Sequence, residues 1–331
     1  MRLLFVAGHE YVPESWWRAK VPADMVGEAL RIGRASQAVG IEGALQADLG
    51  GVSCLWVHMP MGDRSARLID RATRLGIPTV VDFCEDPWRR DECGGQSVYD
   101  PEQLRACDRA IGLATRVVVA TAGLLGAFPG ASVVEPILPD GWGETAETEQ
   151  AVCWWSDGRG KHGLERVADG IAPLLVSTET EFVHVQFPHQ DPFRGKLPAA
   201  QQMVVFASGN PHEDILLMRE HASRAVVGFD LWPRGGYGES ASLVSVLRYA
   251  AVRVPILSNR SLEVPGVASA PDPATFAAGL RRFLEDDSYR EEMSACAYAW
   301  AQEHTSVDQY LDVLREVGYA ACAQAAQVTT A

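Results

Sequence analysis

Four short segments hold the residue types and spacings that chemistry requires. In Asp82–Trp88 (DFCEDPW) three carboxylates, Asp82, Glu85 and Asp86, fall within five residues. Acids this close perturb one another's protonation, so they can act as a proton acceptor, as partners for hydroxyl groups or as metal ligands. The same cluster before a proline also serves as turn and cap chemistry. Gly8–Pro22 (GHEYVPESWWRAKVP) holds His9, Glu10, adjacent Trp16 and Trp17, Arg18 and Lys20. Aromatic faces suit flat or ring-shaped ligands and Arg18 suits a phosphate. Neighbouring tryptophans point in different directions, so both are not expected in the core. His58, at the end of the run Cys54–His58, is a further cleft candidate, although a lone histidine there also serves structure.

The other two segments are rich in glycine. Ser156–Gly163 (SDGRGKHG) places Arg159 and Lys161 among three glycines. Two cations in such a loop can neutralise the charge that grows on a leaving diphosphate; a solvated basic turn has the same composition. Asp230–Ser242 (DLWPRGGYGESAS) has Gly235, Gly236 and Gly238, then Glu239, Ser240, Ala241 and Ser242 before an apolar helical stretch. Such a backbone can approach a phosphate closely, and the helix start adds free N–H groups. Ser240 and Ser242 can add hydroxyl donors and Arg234 charge; a flexible loop ending in a serine N-cap is the plainer alternative.

The elements that must position these loops read as alternating strands and helices. Strands are expected at Leu3–Ala7, Cys54–His58, Thr79–Phe83, Arg116–Ala120 and Val133–Glu135. A second set is expected at Ala151–Trp155, Phe182–Phe187, Met203–Ala207, Ala225–Phe229 and Pro255–Ser258. Near-continuous apolar runs separated by helices imply parallel sheets covered on both faces. Asp100-Pro101, with Gln103 placed for a capping box, marks one helix start, and Asn210-Pro211 and Asp272-Pro273 repeat the signal. Leu138–Gln150 (LPDGWGETAETEQ) breaks the pattern as a linker. The expected division is 1–145 and 146–299, with helices at about 300–318 and a frayed tail at 320–331. In parallel sheets ligands sit at the carboxyl ends of strands, where all four segments fall.

Bulk properties limit the class. A chain of 331 residues, 47% hydrophobic and 22% charged, suits two globular domains rather than disorder. The net charge of −14 argues against broad binding to nucleic acid or anionic membrane. No apolar run approaches the ~20 residues of a bilayer span, and the start Met1–Gly8 reads as a buried strand rather than a signal peptide. The seven cysteines are scattered with no C-x-x-C spacing, which points to small core residues in a reducing cytoplasm rather than disulfides or zinc.

Taken together the segments resemble the two-domain GT-B glycosyltransferases, most closely short family 4-like members of bacterial and phage type, over about residues 2 to 317. Trp17, Arg18 and Pro22 are similar to the family's Y-R…P segment. Val80–Trp88 resembles its D-D-D-L-W strand end, and Ala114–Leu125 its A-D-x-V-x-V-S-T-x-x-L stretch. Cys153–Leu164 resembles I-x-W-x-G-x-x-x-H-x-x-D-L, which places His162 on the family histidine. Gly238–Ser258 resembles the segment ending E-Y-A-A-x-G-x-P-V-V-A-S, and Glu303–Tyr310 the closing helices.

The resemblance implies an α/β fold of two facing Rossmann-like domains whose C-terminal helices cross back to the first. It implies transfer of a hexosyl or pentosyl group from a nucleoside diphosphate sugar, a co-substrate rather than a bound cofactor, with retention and without a metal. Donor-binding residues would be Arg159, Lys161, His162, Gly238, Glu239, Ser240, Ala241 and Ser242. His9, Asp82, Glu85 and Asp86 would receive the acceptor's proton, and Trp17, Arg18 and His58 would line the acceptor site. Acceptors in the family extend to hydroxymethylated bases in DNA, which the net charge does not favour. Three positions depart from the pattern. Arg248 replaces the second acid of the E-x7-E pair, which commonly binds the donor ribose. Ser245 replaces the helix lysine, and Asp140 stands at the linker asparagine. The departures keep two alternatives open, a non-catalytic nucleotide- or sugar-binding protein and a sugar-nucleotide epimerase.

Overall fold

A computed structural model describes residues 2–8, 13–88, 99–138, 142, 148–156, 161–186, 193, 195–206, 211–232 and 243–319. Each half is built on a six-stranded, wholly parallel sheet. The first contains β1 (Arg2–Ala7), β2 (Ser36–Gly40), β3 (Val52–His58), β4 (Thr79–Phe83), β5 (Arg116–Val119) and β6 (Ser132–Val133), in the order β2-β1-β3-β4-β5-β6. The second contains β7 (Ala151–Ser156), β8 (Glu181–Gln186), β9 (Gln202–Phe206), β10 (Val227–Asp230), β11 (Ile256–Ser258) and β12 (Val267–Ser269). Its order is β12-β11-β10-β7-β8-β9.

Apolar sequence explains the central strands. In β1, Leu3 and Phe5 enter one core cluster while Leu4 and Val6 enter another on the opposite face. Side chains alternate across a strand, so a strand buried on both faces must be apolar throughout. The α/β class with two parallel sheets, expected from these runs, is the architecture found. Two strands escaped the sequence reading. β2 (SQAVG) and β12 (VAS) are edge strands of small or polar residues, mostly outside the core. An edge strand needs one pairing partner and buries little, so it leaves no apolar run to find. Other ends shift: β10 runs to Asp230 and β6 stops at Val133.

Helices α1 (Pro13–Ala29), α2 (Ile41–Gln46), α3 (Asp63–Arg74) and α4 (Pro101–Leu113) join the first set of strands. The second set is joined by α5 (Lys161–Ser177), α6 (Pro211–Arg224), α7 (Val244–Ala251) and α8 (Pro273–Glu285), followed by α9 (Asp287–Gln302) and α10 (Asp308–Glu316). The start signals operate as read. Asp100 accepts from the Glu102 and Gln103 N–H groups while the Gln103 side chain accepts from the Asp100 N–H, a complete capping box. The Asp272 side chain caps α8 by accepting from the Ala274 and Thr275 N–H groups, with Pro273 at its first position. α6 starts at Pro211, with Asn210 outside the described residues.

Three apolar clusters form the core. One lies between the first sheet and α2, α3 and α4, and another between the second sheet and α5 and α8. The third runs through both halves, from Phe5, Trp17 and Trp56 to Trp155, Met218 and Tyr249, and includes Tyr310 and Leu314 of α10. Leu138 and Trp142, in the stretch expected as a polar linker, are buried in it. The end of the chain returns to the first half. Tyr310 stacks on Trp56 of β3 with ring centroids 5.1 Å apart, and the Gln309 side chain accepts from the Glu135 N–H at 2.8 Å. Cys54, Cys84, Cys107 and Cys153 are buried thiols outside any disulfide, and burial pushes the Cys153 thiol up to about 12. Among the described residues no helix is long and apolar enough to cross a membrane.

Candidate functional site

In the first sheet the chain reverses direction across β1 and β3, the position at which open parallel sheets form a crevice. The carboxyl ends of the strands around it are stitched together. The Gly8 N–H donates to the His58 carbonyl at 2.9 Å and the Met59 N–H to that of Asp82 at 2.8 Å. A Cβ on Gly8 would stand 2.2 Å from the Met59 carbonyl oxygen, so only glycine permits this approach. His9 and Glu10, which follow, lie outside the described residues.

Beneath these ends is a buried polar cluster. Arg18 of α1 reaches Asp82 of β4 with two parallel hydrogen bonds, Nε to Oδ2 at 3.0 Å and Nη2 to Oδ1 at 2.5 Å. Its Nη1 donates to the Val134 carbonyl at 2.7 Å. Trp56 Nε1 and His58 Nδ1 each stand 3.4 Å from Asp82 Oδ2. Burial alone would raise the Asp82 carboxyl, but the guanidinium and His58 outweigh it and hold it below the usual range. Burial opposes the Arg18 charge as well, and Asp82 more than restores it.

The structure places three of the expected residues in the core. Trp17 and Arg18, expected at the acceptor site, are both fully buried, and Trp17 Nε1 donates to the Ile137 carbonyl at 2.8 Å. Asp82, expected as a proton acceptor, is equally enclosed and charge-paired. Burying both charges is costly, and the matched bidentate geometry with the added bond to Val134 offsets that cost. Glu85 and Asp86 follow β4 directly at its carboxyl end, 2% and 7% exposed. Asp86 Oδ1 accepts from the Trp88 N–H at 3.0 Å, the turn chemistry that a proline neighbour suggests. His58 ends β3 beside them and is buried.

The second sheet reverses across β7 and β10, and the two glycine-rich segments leave those two adjacent strands. Arg159 and 238–242 lie outside the described residues. Lys161 and His162 are the first two residues of α5, with side chains outside the described part. The base of the crevice is well defined. Asp230, the last residue of β10, accepts at Oδ2 from Ser258 Oγ (2.6 Å) and Arg260 Nε (2.9 Å). Its Oδ1 accepts from Ser245 Oγ (2.7 Å), Trp232 Nε1 (2.8 Å) and Arg260 Nη2 (3.1 Å). Burial would raise this carboxyl too, yet Arg260 and the hydroxyls hold it low. Asn259 exchanges two hydrogen bonds with the backbone of Trp232, and a Cβ on Gly163 would meet that backbone at 2.8 Å. Asp230 thus ties Trp232 to β11 and α7, and the first turn of α5 packs closely against the Trp232 backbone.

Sequence reading missed this anchor. An acid ending a central strand was visible, but Ser258 and Arg260 become its partners only through the pairing of β10 with β11, which sets Asp230 opposite Ser258. Ser245, at the position of the family lysine, is committed to the same carboxylate. Arg248 is buried on α7 between the rings of Trp17 and Trp155. Among the described residues no three His, Cys, Asp or Glu side chains stand together as metal ligands would.

No profile of a known protein family and no curated protein sequence matches the chain. Solved structures do. The Anabaena protein Alr3699/HepE in complex with UDP and glucose is similar at a TM-score of 0.67 and 10% identity, over 97% of this chain and 100% of that one. An alpha-glucosyltransferase in complex with UDP and a 13-mer DNA containing a HMU base is similar at 0.60 and 10% identity, over 95% and 98%. TarM is similar at 0.58 and 9% identity, over 80% of this chain and 54% of its own. The likeness is one of fold, and the fold is that of the GT-B glycosyltransferases.

Proposed function

We propose that this chain is a glycosyltransferase that takes a sugar from a nucleoside diphosphate donor in its second half and passes it to an acceptor in its first. The observation that carries the reading is topological. Both glycine-rich, strand-to-helix segments leave β7 and β10, the two strands that flank the second crevice. A diphosphate bound there would have the two helix starts for its oxygens, with Arg159, Lys161, His162 and Gly238–Ser242 as the proposed donor-binding residues. UDP is the first nucleotide to test, because the structures of similar fold carry it.

The acceptor side of the proposal rests on the strand ends of the first sheet. With Asp82 paired to Arg18, the proposed proton acceptors are Glu85, Asp86 and His9, and Asp82 with Arg18 and Trp17 supports the ends of the strands. His58 belongs to the same strand ends. Charge neutralisation by side chains and helix starts makes transfer without a metal the expected mode, with retention at the anomeric carbon. Closure of the cleft would exclude the water that otherwise hydrolyses the donor. A hydroxymethylated DNA base is one acceptor class to include, since one alpha-glucosyltransferase of similar fold carries such DNA; the net charge of −14 weighs against it.

A screen of nucleoside diphosphates and their sugars, by thermal stabilisation and turnover, tests the reading. Stabilisation by one nucleotide with slow hydrolysis of one donor supports a transferase. Stabilisation without hydrolysis, even with pooled acceptors, favours a binder, the reading that Arg248 in place of an acid would support. Isomerised donor without acceptor indicates an epimerase.

A further inference from the structure

A chain of aromatic and guanidinium groups crosses the boundary between the halves. The Arg248 guanidinium carbon lies 5.5 Å from the ring centroid of Trp155 and 5.1 Å from that of Trp17. Trp17 meets Trp142 edge to face at 4.8 Å, and Arg219 of α6 stands 5.5 Å from Trp142. Only Trp17 belongs to the first sheet's elements. Arg248, Trp155 and Arg219 belong to the second, and Trp142 lies between the sheets. Arg248 is 1% exposed, and its Nη1 also approaches Met218 Sδ at 3.9 Å.

Its position gives this contact a consequence. Arg248 is on α7, the helix entered from the glycine-rich segment after β10. Trp155 is the next-to-last residue of β7, at the base of the other glycine-rich segment. Trp17 adjoins Arg18, which holds Asp82 at the end of β4. One planar cation therefore touches the supports of both donor segments and, through α1, the support of the acceptor side. Burying a guanidinium is costlier than burying a methionine of similar length, so packing alone does not account for arginine here. A flat, delocalised cation can stack on two rings at once, which an ammonium cannot.

We propose that Arg248 is a positioning residue that holds the donor half in register with the acceptor half, acting through Trp155 and Trp17 without touching donor or acceptor. The proposal rests on the second half being the donor half. It explains how a cation serves at a position where the resemblance implies an acid that binds the donor.

The test compares wild type with Arg248→Met, Arg248→Lys and Trp17→Phe, the last two keeping most of the packing should Arg248→Met fail to fold. For each, UDP affinity, the tryptophan fluorescence response to UDP, donor KM and transfer kcat are measured, with donor hydrolysis recorded beside transfer. The expected result is UDP affinity within about threefold of wild type, a lost or reduced fluorescence response, and kcat lowered about tenfold or more with hydrolysis rising relative to transfer. Wild-type kcat and fluorescence response in Arg248→Lys and Trp17→Phe overturn the proposal. A fall in UDP affinity of about tenfold or more with kcat retained also overturns it, because Arg248 then contacts the donor itself. Failure of the wild-type protein to bind UDP or to turn over any donor removes the functional reading first and this proposal with it, and the wild-type control separates that outcome from the others.

Discussion

Arg18 and Asp82 are 64 residues apart in the chain, yet they meet in two parallel hydrogen bonds with no solvent contact on either side chain. Arg260 and Asp230 repeat the relationship at the end of β10 in the other half. Each half thus fixes the base of a strand-end loop with a buried guanidinium–carboxylate pair.

Removing one partner of the first pair leaves an uncompensated buried charge. Asp82→Ala and Arg18→Ala are each expected to lower unfolding free energy by about 3–5 kcal/mol. The double variant Arg18→Met/Asp82→Leu should lose less than either single variant, because neither charge is then stranded. Chemical denaturation of the four proteins checks this; additive losses would show that the two groups are not coupled.

Asp230 anchors more than one element, so its removal should loosen the second crevice. Asp230→Ala is expected to cost about 3 kcal/mol or more in stability. It should also raise hydrogen exchange in the first turns of α5 and α7. Exchange unchanged in both helices would show that Asn259 and the local packing hold the loop without it.

His184 gives the fold a sensitivity to acid. It is buried on β8, its ring lies 4.3 Å from that of Trp154, and among the described residues neither ring nitrogen has a hydrogen-bond partner. Burial lowers its pKa from 6.5 to about 3. The folded state therefore keeps the ring neutral while the unfolded chain takes up a proton below 6.5. Stability falls as pH drops from about 7 towards 3 and is fully present above 6.5. The loss from this one residue should reach roughly 2 kcal/mol by pH 5. His184→Phe, which keeps a ring on Trp154, should flatten that part of the pH–stability curve. An unchanged slope between pH 7 and 5 would assign the acid sensitivity to other groups.

For the chemistry, Arg159→Ala or Lys161→Ala is expected to lower transfer by roughly 2 kcal/mol or more in transition-state terms, with smaller effects on UDP binding. Steady-state kcat/KM with the donor found by screening measures it. Wild-type rates in both variants would remove these cations from the mechanism.

Much of the architecture is local in origin and therefore visible in the chain. β1, β3, β4 and β7 bury both faces, which demands the uninterrupted apolar runs by which they were recognised. Asp100 and Asp272 announce their helices because a cap and its N–H partners lie within three residues. Glycines and cations at strand ends were equally plain, and the order of the second sheet brings the two segments that carry them to adjacent strands. What depends on pairing between distant segments was hidden. β2 and β12 exist because β1 and β11 offer edges to pair with, not because their own residues demand a strand. Trp17, Arg18 and Asp82 have the residue types of a binding surface, and only the packing of α1 against β1, β2 and β3 turns them inward. The same holds for Arg248, a substitution when read in the chain and a bridge between two tryptophans in the fold. Residue type limits what a side chain can do; the long-range pairing of strands and helices decides whether it faces water, a ligand or its own counter-charge.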